Sequence, residues 1–119
     1  MALVEVGGCI FDAEQLGNSH GYESLDLVGR EAFVNHVHLA CEDRVAVAEQ
    51  IIGSWAVEMR ARWPGRVFRI YRQTEAEEVT VRFHMVRPGL PDWCEDGIEV
   101  IVVESQEADP GTVPGPACV

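Results

Sequence analysis

The residues best suited to chemistry in this sequence lie at alternate positions of three predicted strands. Alternate residues of a strand point to the same face of a sheet, so we expect their side chains to share one face. The groups concerned are imidazole, guanidinium and phenol. They belong to His36, His38, Arg69, Tyr71, Arg82 and His84. The spacing therefore predicts a polar sheet face that carries three histidines, two arginines and a tyrosine.

One interpretation of this face is a catalytic or ligand-binding site. Arg69 and Arg82 would hold a phosphate or carboxylate through charge-assisted hydrogen bonds. One of the three histidines would act as general acid or base near neutral pH, and Tyr71 would donate a hydrogen bond.

Other interpretations use the same residues. His36 and His38 are separated by one residue, and with His84 they could bind zinc or nickel through three imidazoles. A solvated face, or a homodimer interface in which the arginines pair with glutamates, fits equally. No phosphate loop, H-E-x-x-H helix or Ser-His-Asp order favours an enzyme. We predict neither a metal nor a cofactor.

A tryptophan near the end of the chain stands among acidic residues. Trp93 follows Asp92 and precedes Cys94, Glu95 and Asp96. Tryptophan is enriched at binding hot spots, and acids beside it would suit a basic partner. Asp92, Trp93, Glu95 and Asp96 are therefore candidate protein-binding residues, although a tryptophan that folds back onto the core fits the same pattern.

The net charge of −11 is unevenly distributed. Residues 1–29 contain five acids and no Arg or Lys, and residues 89–119 contain seven acids and no Arg or Lys, so all nine bases lie in between. Every base is Arg, as expected from a GC-rich, bacterial genome. So acidic a chain is not expected to bind a nucleic-acid backbone directly, because that requires cationic side chains. Its charge fits a basic protein partner, or solubility alone.

The four cysteines contain no C-x-x-C pair, so zinc and thioredoxin patterns are absent from the sequence. No apolar run approaches the length of about 18 residues that crosses a membrane, and the first residues lack a basic signal-peptide region. We therefore expect a cytoplasmic protein with reduced thiols and no membrane partner.

One helix and five strands are predicted to position these residues. Residues 43–63 have apolar side chains at steps of three and four, ending at Pro64-Gly65, which indicates an amphipathic helix. Its predicted apolar stripe consists of Val45, Ala48, Ile52, Trp55 and Met59. The predicted strands cover residues 3–11, 31–40, 66–72, 77–87 and 98–103, with a long loop over residues 12–29.

The predicted fold class is α+β, with a single helix packed on one face of a mainly antiparallel, roughly five-stranded sheet in the order β-β-α-β-β-β. Residues 1–104 are expected to form one domain, and residues 105–119 a disordered, acidic tail rich in proline and glycine. Because one helix covers only one face of a sheet, the polar face would be open to solvent, a ligand or a second copy.

The function expected first is that of a small acidic protein-binding module. Its most specific form is an inhibitor, or immunity-type protein, of a basic partner that acts on nucleic acid. The alternative is a small enzyme or ligand-binding domain that uses the polar sheet face for an anionic substrate. A homodimer through that face is the third hypothesis.

Overall fold

The computed structural model describes residues 2–94 and 97–104 and confirms the α+β class. The strands are β1 (Leu3–Val6), β2 (Cys9–Asp12), β3 (His36–Leu39), β4 (Val67–Thr74), β5 (Val79–Met85) and β6 (Glu99–Glu104). The α-helices are α1 (Ala13–Gly17), α2 (Leu27–Val34) and α3 (Arg44–Arg62), and a 3-10 helix covers Tyr22–Ser24. The described residues thus hold three α-helices where the sequence predicted one, and two sheets in place of one.

The predicted helix is α3, and its buried stripe follows the 3.6-residue period. Ala48, Trp55 and Met59 are buried, whereas Val45, predicted to lie on the same stripe, is 53% exposed. Val45 lies in the first turn of α3. Arg60 and Arg62 occupy the last turn, where positive charge stabilises the carboxyl end of the helix dipole.

The larger sheet has four antiparallel strands in the order β3-β5-β4-β6. Its centre is the β4–β5 hairpin, whose seven paired positions run from Phe68 opposite Met85 to Thr74 opposite Val79. Val79, Val81, Phe83 and Met85 are all buried, as their alternation predicted. The face predicted for Arg69, Tyr71, Arg82 and His84, opposite that of the buried residues, is the one observed.

The first predicted strand, residues 3–11, is two strands. β1 and β2 pair antiparallel as a separate two-stranded sheet, with Val6 opposite Cys9. Gly7 and Gly8 form the turn between them, with φ values of 60° and 83°. Two successive positive φ values are typical of the tight turns that match the twist of a hairpin, and glycine adopts them without strain.

The region predicted as a loop and a strand over residues 12–40 contains α1, the 3-10 helix, α2 and β3. Asp12 caps α1 by accepting hydrogen bonds from the backbone N–H groups of Glu14 and Gln15, and Asp26 caps α2 through that of Gly29. The prediction of one strand over residues 31–40 is wrong. Its first four residues continue α2, because the capped helix satisfies their backbone groups, and only His36–Leu39 pairs with β5.

Side chains of α2 connect the β1–β2 hairpin to the larger sheet. Glu31 is fully buried, and its carboxylate accepts hydrogen bonds from the backbone N–H groups of Ile10 in β2 (2.6 Å) and Met85 in β5 (2.7 Å). The guanidinium of Arg87 pairs with both carboxylate oxygens, at 2.7 and 2.9 Å. Burial opposes the charge on Arg87, but its hydrogen bond and attraction to Glu31 raise the pKa of Arg87 overall. The buried carboxylate is thereby compensated.

Asn35, also fully buried, acts in the same way one turn later. Its side-chain oxygen accepts a hydrogen bond from the backbone N–H of Asp12 (2.8 Å), and its side-chain nitrogen donates to the carbonyl of Ile10 (2.8 Å). These amide and carboxylate groups satisfy backbone groups that a neighbouring strand would otherwise pair.

The main core lies where α3 covers one face of both sheets. Trp55 packs edge-on against Phe83, with ring centroids 4.7 Å apart, and donates a hydrogen bond from its indole N–H to Asp12 (3.0 Å). Glu58 and Arg62 bond the backbone of Leu3 at the far end of the hairpin. The buried core residues are Leu3, Ile10, Ala48, Trp55, Ala56, Met59, Trp63, Phe68, Ile70, Val79, Val81, Phe83, Met85 and Val103.

Two expectations about the ends and surroundings of the domain stay predictions. The tail over residues 105–119 lies outside the described residues, and the assignment of residues 1–104 to one domain is untested. Among the helices of the described part of the chain, none has the length and apolar character needed to cross a bilayer.

Candidate functional site

The chemistry-bearing residues lie on the face of the larger sheet that points away from α3. His36 of β3 is opposite Arg82 of β5, which in turn is opposite Tyr71 of β4. Arg69 is opposite His84 in a neighbouring row. The alternation of polar residues along the strands placed these side chains on one face, and the observed registers bring them together.

This face is covered where it was predicted to be open. The segment formed by residues 91–94 crosses it, and the Trp93 ring contacts the Tyr71 ring with centroids 5.0 Å apart. The backbone N–H of Trp93 donates to His84 Nε2 (3.3 Å). Tyr71 is 1% exposed and His84 is fully buried. The two predicted sites, the polar sheet face and the Trp93 loop, are therefore parts of one cluster.

His84 is held in one tautomer by its neighbours. Nδ1 lies 3.1 Å from the carbonyl oxygen of Met85, which can only accept, so Nδ1 carries the proton. Nε2 then accepts from the hydroxyl of Tyr71 (2.9 Å) and from the backbone N–H of Trp93. Burial lowers the pKa of His84, although its hydrogen bond to Met85 and the negative charges of Asp92 and Glu31 act in the opposite direction. The imidazole is neutral and both nitrogens are engaged.

Tyr71 and Arg69 extend the same network. The Tyr71 hydroxyl accepts hydrogen bonds from Arg69 Nε (3.0 Å) and from the backbone N–H of Cys94 (3.5 Å). Arg69 also donates to the carbonyl of Cys94 (3.3 Å), and its Nε lies 3.6 Å from a carboxylate oxygen of Asp92. The cluster thus fixes residues 92–94 on the sheet from both backbone and side-chain atoms.

Arg82 and Trp93 form the outer layer of the cluster. The Arg82 guanidinium carbon lies 4.2 Å from the centre of the Trp93 ring, a cation–π contact, and its Nη1 donates to the carbonyl of Ala32 (2.9 Å). Burial lowers the pKa of Arg82, but an arginine stays charged at neutral pH. Trp93 remains 37% exposed. The Trp93 ring is thus partly exposed, and the Arg82 guanidinium packs against it.

Phe33 and His36 continue this outer layer toward α2. The His36 ring lies next to Arg82 across the strand pair, and its centroid is 6.2 Å from that of Phe33, which is 42% exposed. Burial lowers the pKa of His36. We call Phe33, His36, Arg82 and Trp93 the Trp93 surface. Phe33 lies in α2 and not in the strand predicted over residues 31–40.

His38 stands apart from the buried network. Its Nδ1 lies 3.0 Å from the hydroxyl of Thr80 and 2.8 Å from a carboxylate oxygen of Glu78. Its ring centroid is 5.0 Å from that of His36. A metal site shared with His84 is excluded, because both nitrogens of His84 have other partners. In residues 2–94 and 97–104, no group of three or more His, Cys, Asp or Glu side chains is placed to hold a metal ion.

The acids expected around Trp93 are only partly visible. Asp92 is partly buried, and its carboxylate lies beside Arg69 and 3.9 Å from His84 Nε2, so it helps to hold the segment in place. Glu95 and Asp96 lie outside the described residues. The catalytic roles predicted for His36, His38, Tyr71 and His84, the ligand-binding roles of Arg69 and Arg82, and the protein-binding roles of Asp92 and Trp93 all stay predictions.

The sequence offered signals for part of what it left unpredicted here. Asp26 followed three residues later by a backbone donor at Gly29 is a helix-capping pattern, and it would have placed Phe33 on a helix. The fold of residues 91–94 across the sheet depends on contacts with Tyr71, Arg82 and His84, which no local pattern reveals.

Comparison of the chain with protein-family models, with curated protein sequences and with solved structures found no match.

Proposed function

We propose that this chain binds another protein, a basic one, through the Trp93 surface. The specific form of the proposal is an inhibitor or immunity-type protein that acts in the cytoplasm on a nucleic-acid-acting partner. The observation that carries the proposal is the state of Trp93. Its ring is 37% exposed, yet Arg82, Tyr71 and its own backbone bond to His84 hold it in place.

An aromatic side chain that is ordered before binding makes an effective anchor. Association costs free energy for every side chain that it immobilises, at about 0.5–1.5 kcal/mol each. The Trp93 ring already contacts the Arg82 guanidinium and the Tyr71 ring, so little of that cost remains. Hot-spot residues are typically tryptophan, tyrosine or arginine surrounded by groups that exclude water. Arg82 and Tyr71 provide such groups beside Trp93.

The chemistry of the partner follows from the charge of the whole molecule. A net charge of −11 attracts basic proteins over distances of about a Debye length, roughly 8 Å at physiological salt, and accelerates their association. Proteins that act on nucleic acids carry basic surfaces for their substrate. An acidic protein of this size is suited to occupy such a surface.

The alternative, a small enzyme or anion-binding domain, receives less support from the geometry. Arg69 donates to Tyr71 and Cys94 and lies beside Asp92. His84 has both nitrogens engaged and no exposure. A substrate would have to displace residues 91–94 before it reached these groups.

Site-specific photo-crosslinking tests the proposal. A photoreactive aromatic amino acid, which keeps a ring at the position, replaces Trp93 in one variant and Val57, which is 67% exposed on α3, in a control variant. Both are produced in the native host. We expect position 93, and not position 57, to form an adduct with a basic protein. Absence of an adduct, equal adducts from both positions or an acidic partner would contradict the proposal.

The partner is then purified and its affinity measured by calorimetry. Trp93→Ala should weaken binding about tenfold or more, while Val57→Ala changes it less than about twofold. Binding should also weaken between about 0.05 M and about 0.5 M NaCl, because screening reduces the attraction between opposite charges. Affinity that is unaffected by salt and by Trp93→Ala would contradict the proposal.

A further inference from the structure

β6 is an edge strand of the larger sheet. It pairs with β4 over six consecutive positions, from Glu99 opposite Arg72 to Glu104 opposite Val67. On its other side, no strand of the described residues pairs with it. Each residue of an antiparallel strand directs its backbone N–H and C=O to one side, alternately, so half of the backbone groups of β6 point outward. An outward row of unpaired groups is a template for another strand.

Natural edge strands usually carry features that prevent such pairing, and β6 lacks several of them. It contains no proline, lysine or glycine, and its register with β4 has no bulge. Its four central residues are β-branched, and Val102 is 49% exposed. The opposite edge, β3, is only four residues long.

We propose that the outer edge of β6 accepts an extended, basic segment of a partner protein by strand addition. The inference rests on the proposed function for the basic character of the partner. The exposed glutamates Glu99 and Glu104 stand at the two ends of β6, with four apolar residues between them. Both carboxylate oxygens of Glu99 accept hydrogen bonds from Arg72 of β4, at 3.0 and 2.8 Å, so the attraction to a basic segment comes mainly from Glu104 and from the net charge of the molecule. The matching segment has basic residues at its ends and β-branched or other apolar residues between, so that opposite charges meet across the strands.

Charge decides between this occupant and a second copy of the chain. A second copy would bring the same glutamates and another net charge of −11 to the interface. Repulsion between two such molecules opposes self-pairing, whereas a basic segment is attracted. The outward backbone groups of β6 would form the same hydrogen bonds with a basic segment or with a second copy, so charge makes the difference.

Nuclear magnetic resonance of the isotope-labelled full chain tests the inference. The probe is a synthetic eight-residue peptide with Arg and Lys at its ends and Val and Thr between them. We expect the amide resonances of residues 99–104 to shift on titration. A peptide with Glu in place of Arg and Lys serves as the charge control and should leave these resonances unchanged.

Matched variants separate this inference from the role of Trp93. Val102→Lys places a charge on the outer edge, and Val57→Lys makes the same change of net charge on α3. Val102→Lys should weaken the basic peptide about tenfold, and Val57→Lys less than about twofold. Trp93→Ala should leave the β6 shifts intact. Thermal unfolding confirms that each variant is folded.

Three results would overturn the inference. The first is that the basic peptide leaves the resonances of residues 99–104 unchanged in the wild-type chain. The second is that the acidic peptide binds equally well. The third is a wild-type dimer by light scattering that Val102→Lys dissociates, since a second copy would then occupy the edge. If the edge binds the peptide but crosslinking from position 93 finds no partner, only the Trp93 proposal fails.

Discussion

His84 shows how a residue that resembles a catalytic base becomes a structural one. The groups that face it are the Tyr71 hydroxyl from β4, the Arg69 guanidinium, the Asp92 carboxylate and, farther away, the Glu31 carboxylate of α2. Burial outweighs the two carboxylates, and the pKa of His84 falls below its ordinary value. A neutral imidazole that accepts two hydrogen bonds and donates one has no free lone pair for a substrate.

The lowered pKa predicts a pH dependence of stability. As the pH falls below the ordinary histidine pKa, the unfolded chain binds a proton at this imidazole and the folded chain does not. The free energy of unfolding should therefore decrease from about pH 7 to about pH 5. His84→Gln removes this contribution and should make the decrease shallower, although His36, whose pKa is also lowered by burial, retains its own share.

Urea denaturation at several pH values measures this effect. His20→Gln is the matched control, because His20 is exposed and lies in the segment before the 3-10 helix. The control should follow the wild-type pH dependence. A His84→Gln variant with the wild-type slope would show that His84 binds a proton over the same pH range in the folded chain as in the unfolded chain, contrary to the geometry of its network.

Two glycines illustrate how the same residue type has opposite roles in different elements. Gly8 lies in the β1–β2 turn at φ 83°, with open space where a Cβ would stand. Gly53 lies in the middle of α3, on its exposed side, also with nothing within 4 Å of a Cβ. Since neither site is crowded, the backbone conformation alone determines the effect of a methyl group.

Alanine substitutions at the two positions should therefore shift stability in opposite directions. Gly8→Ala forces a side chain into the left-handed region and should lower the free energy of unfolding by about 1 kcal/mol. Gly53→Ala removes a flexible residue from a helix interior and should raise it by about 1 kcal/mol. Chemical denaturation of both variants in parallel with the wild type measures the difference. A gain in stability from Gly8→Ala would contradict the turn geometry.

Elements with long, regular patterns could be predicted from the sequence, and those held together by distant partners could not. The period of α3 and the alternation along β4 and β5 are local, and they predicted the helix, the hairpin and the faces of its residues. The strand predicted over residues 31–40 crosses the boundary at Asn35, because the alternation of His36–Leu39 continues into the last residues of α2. The Gly7-Gly8 pair between β1 and β2 is a hairpin signal.

The candidate site was predictable in its members and not in its arrangement. Strand alternation is enough to place Arg69, Tyr71, Arg82 and His84 on one face. Whether that face is open depends on the path of residues 91–94. Contacts of Trp93 with Arg82 and with the edge-on ring of Tyr71 hold this segment across the face. Such a contact joins residues far apart in sequence, so spacing and composition carry no trace of it.

For the molecule as a whole, α3 and Glu31 couple the two sheets. Trp55 reaches both Phe83 of the larger sheet and Asp12 of the hairpin, and Glu31 bonds a strand of each. Leu3 and Ile10 of the hairpin belong to the same core as residues of α3 and the larger sheet. We therefore expect residues 2–104 to unfold in one cooperative transition, as small single domains usually do.

Coincidence of two unfolding signals tests this expectation. Far-ultraviolet circular dichroism follows the helices and strands, while tryptophan fluorescence of a Trp93→Phe variant follows the surroundings of Trp55 and Trp63, which contact both the hairpin and the larger sheet. The two denaturation curves should have the same midpoint and slope. Separate midpoints would mean that the chain comprises more than one cooperative unit.

The unequal edges of the larger sheet also limit how far an assembly can grow. Filaments and cross-β fibres need two matching edges on every copy, so that each addition creates the site for the next. In the described part of the chain, β6 presents six residues, while β3 presents four and gives way to α2, whose Glu31 side chain bonds the next free N–H of β5. A strand added at β6 would therefore meet no comparable edge on the far side. We expect strand addition of the proposed kind to stop after one partner segment and to give a complex of one to one stoichiometry.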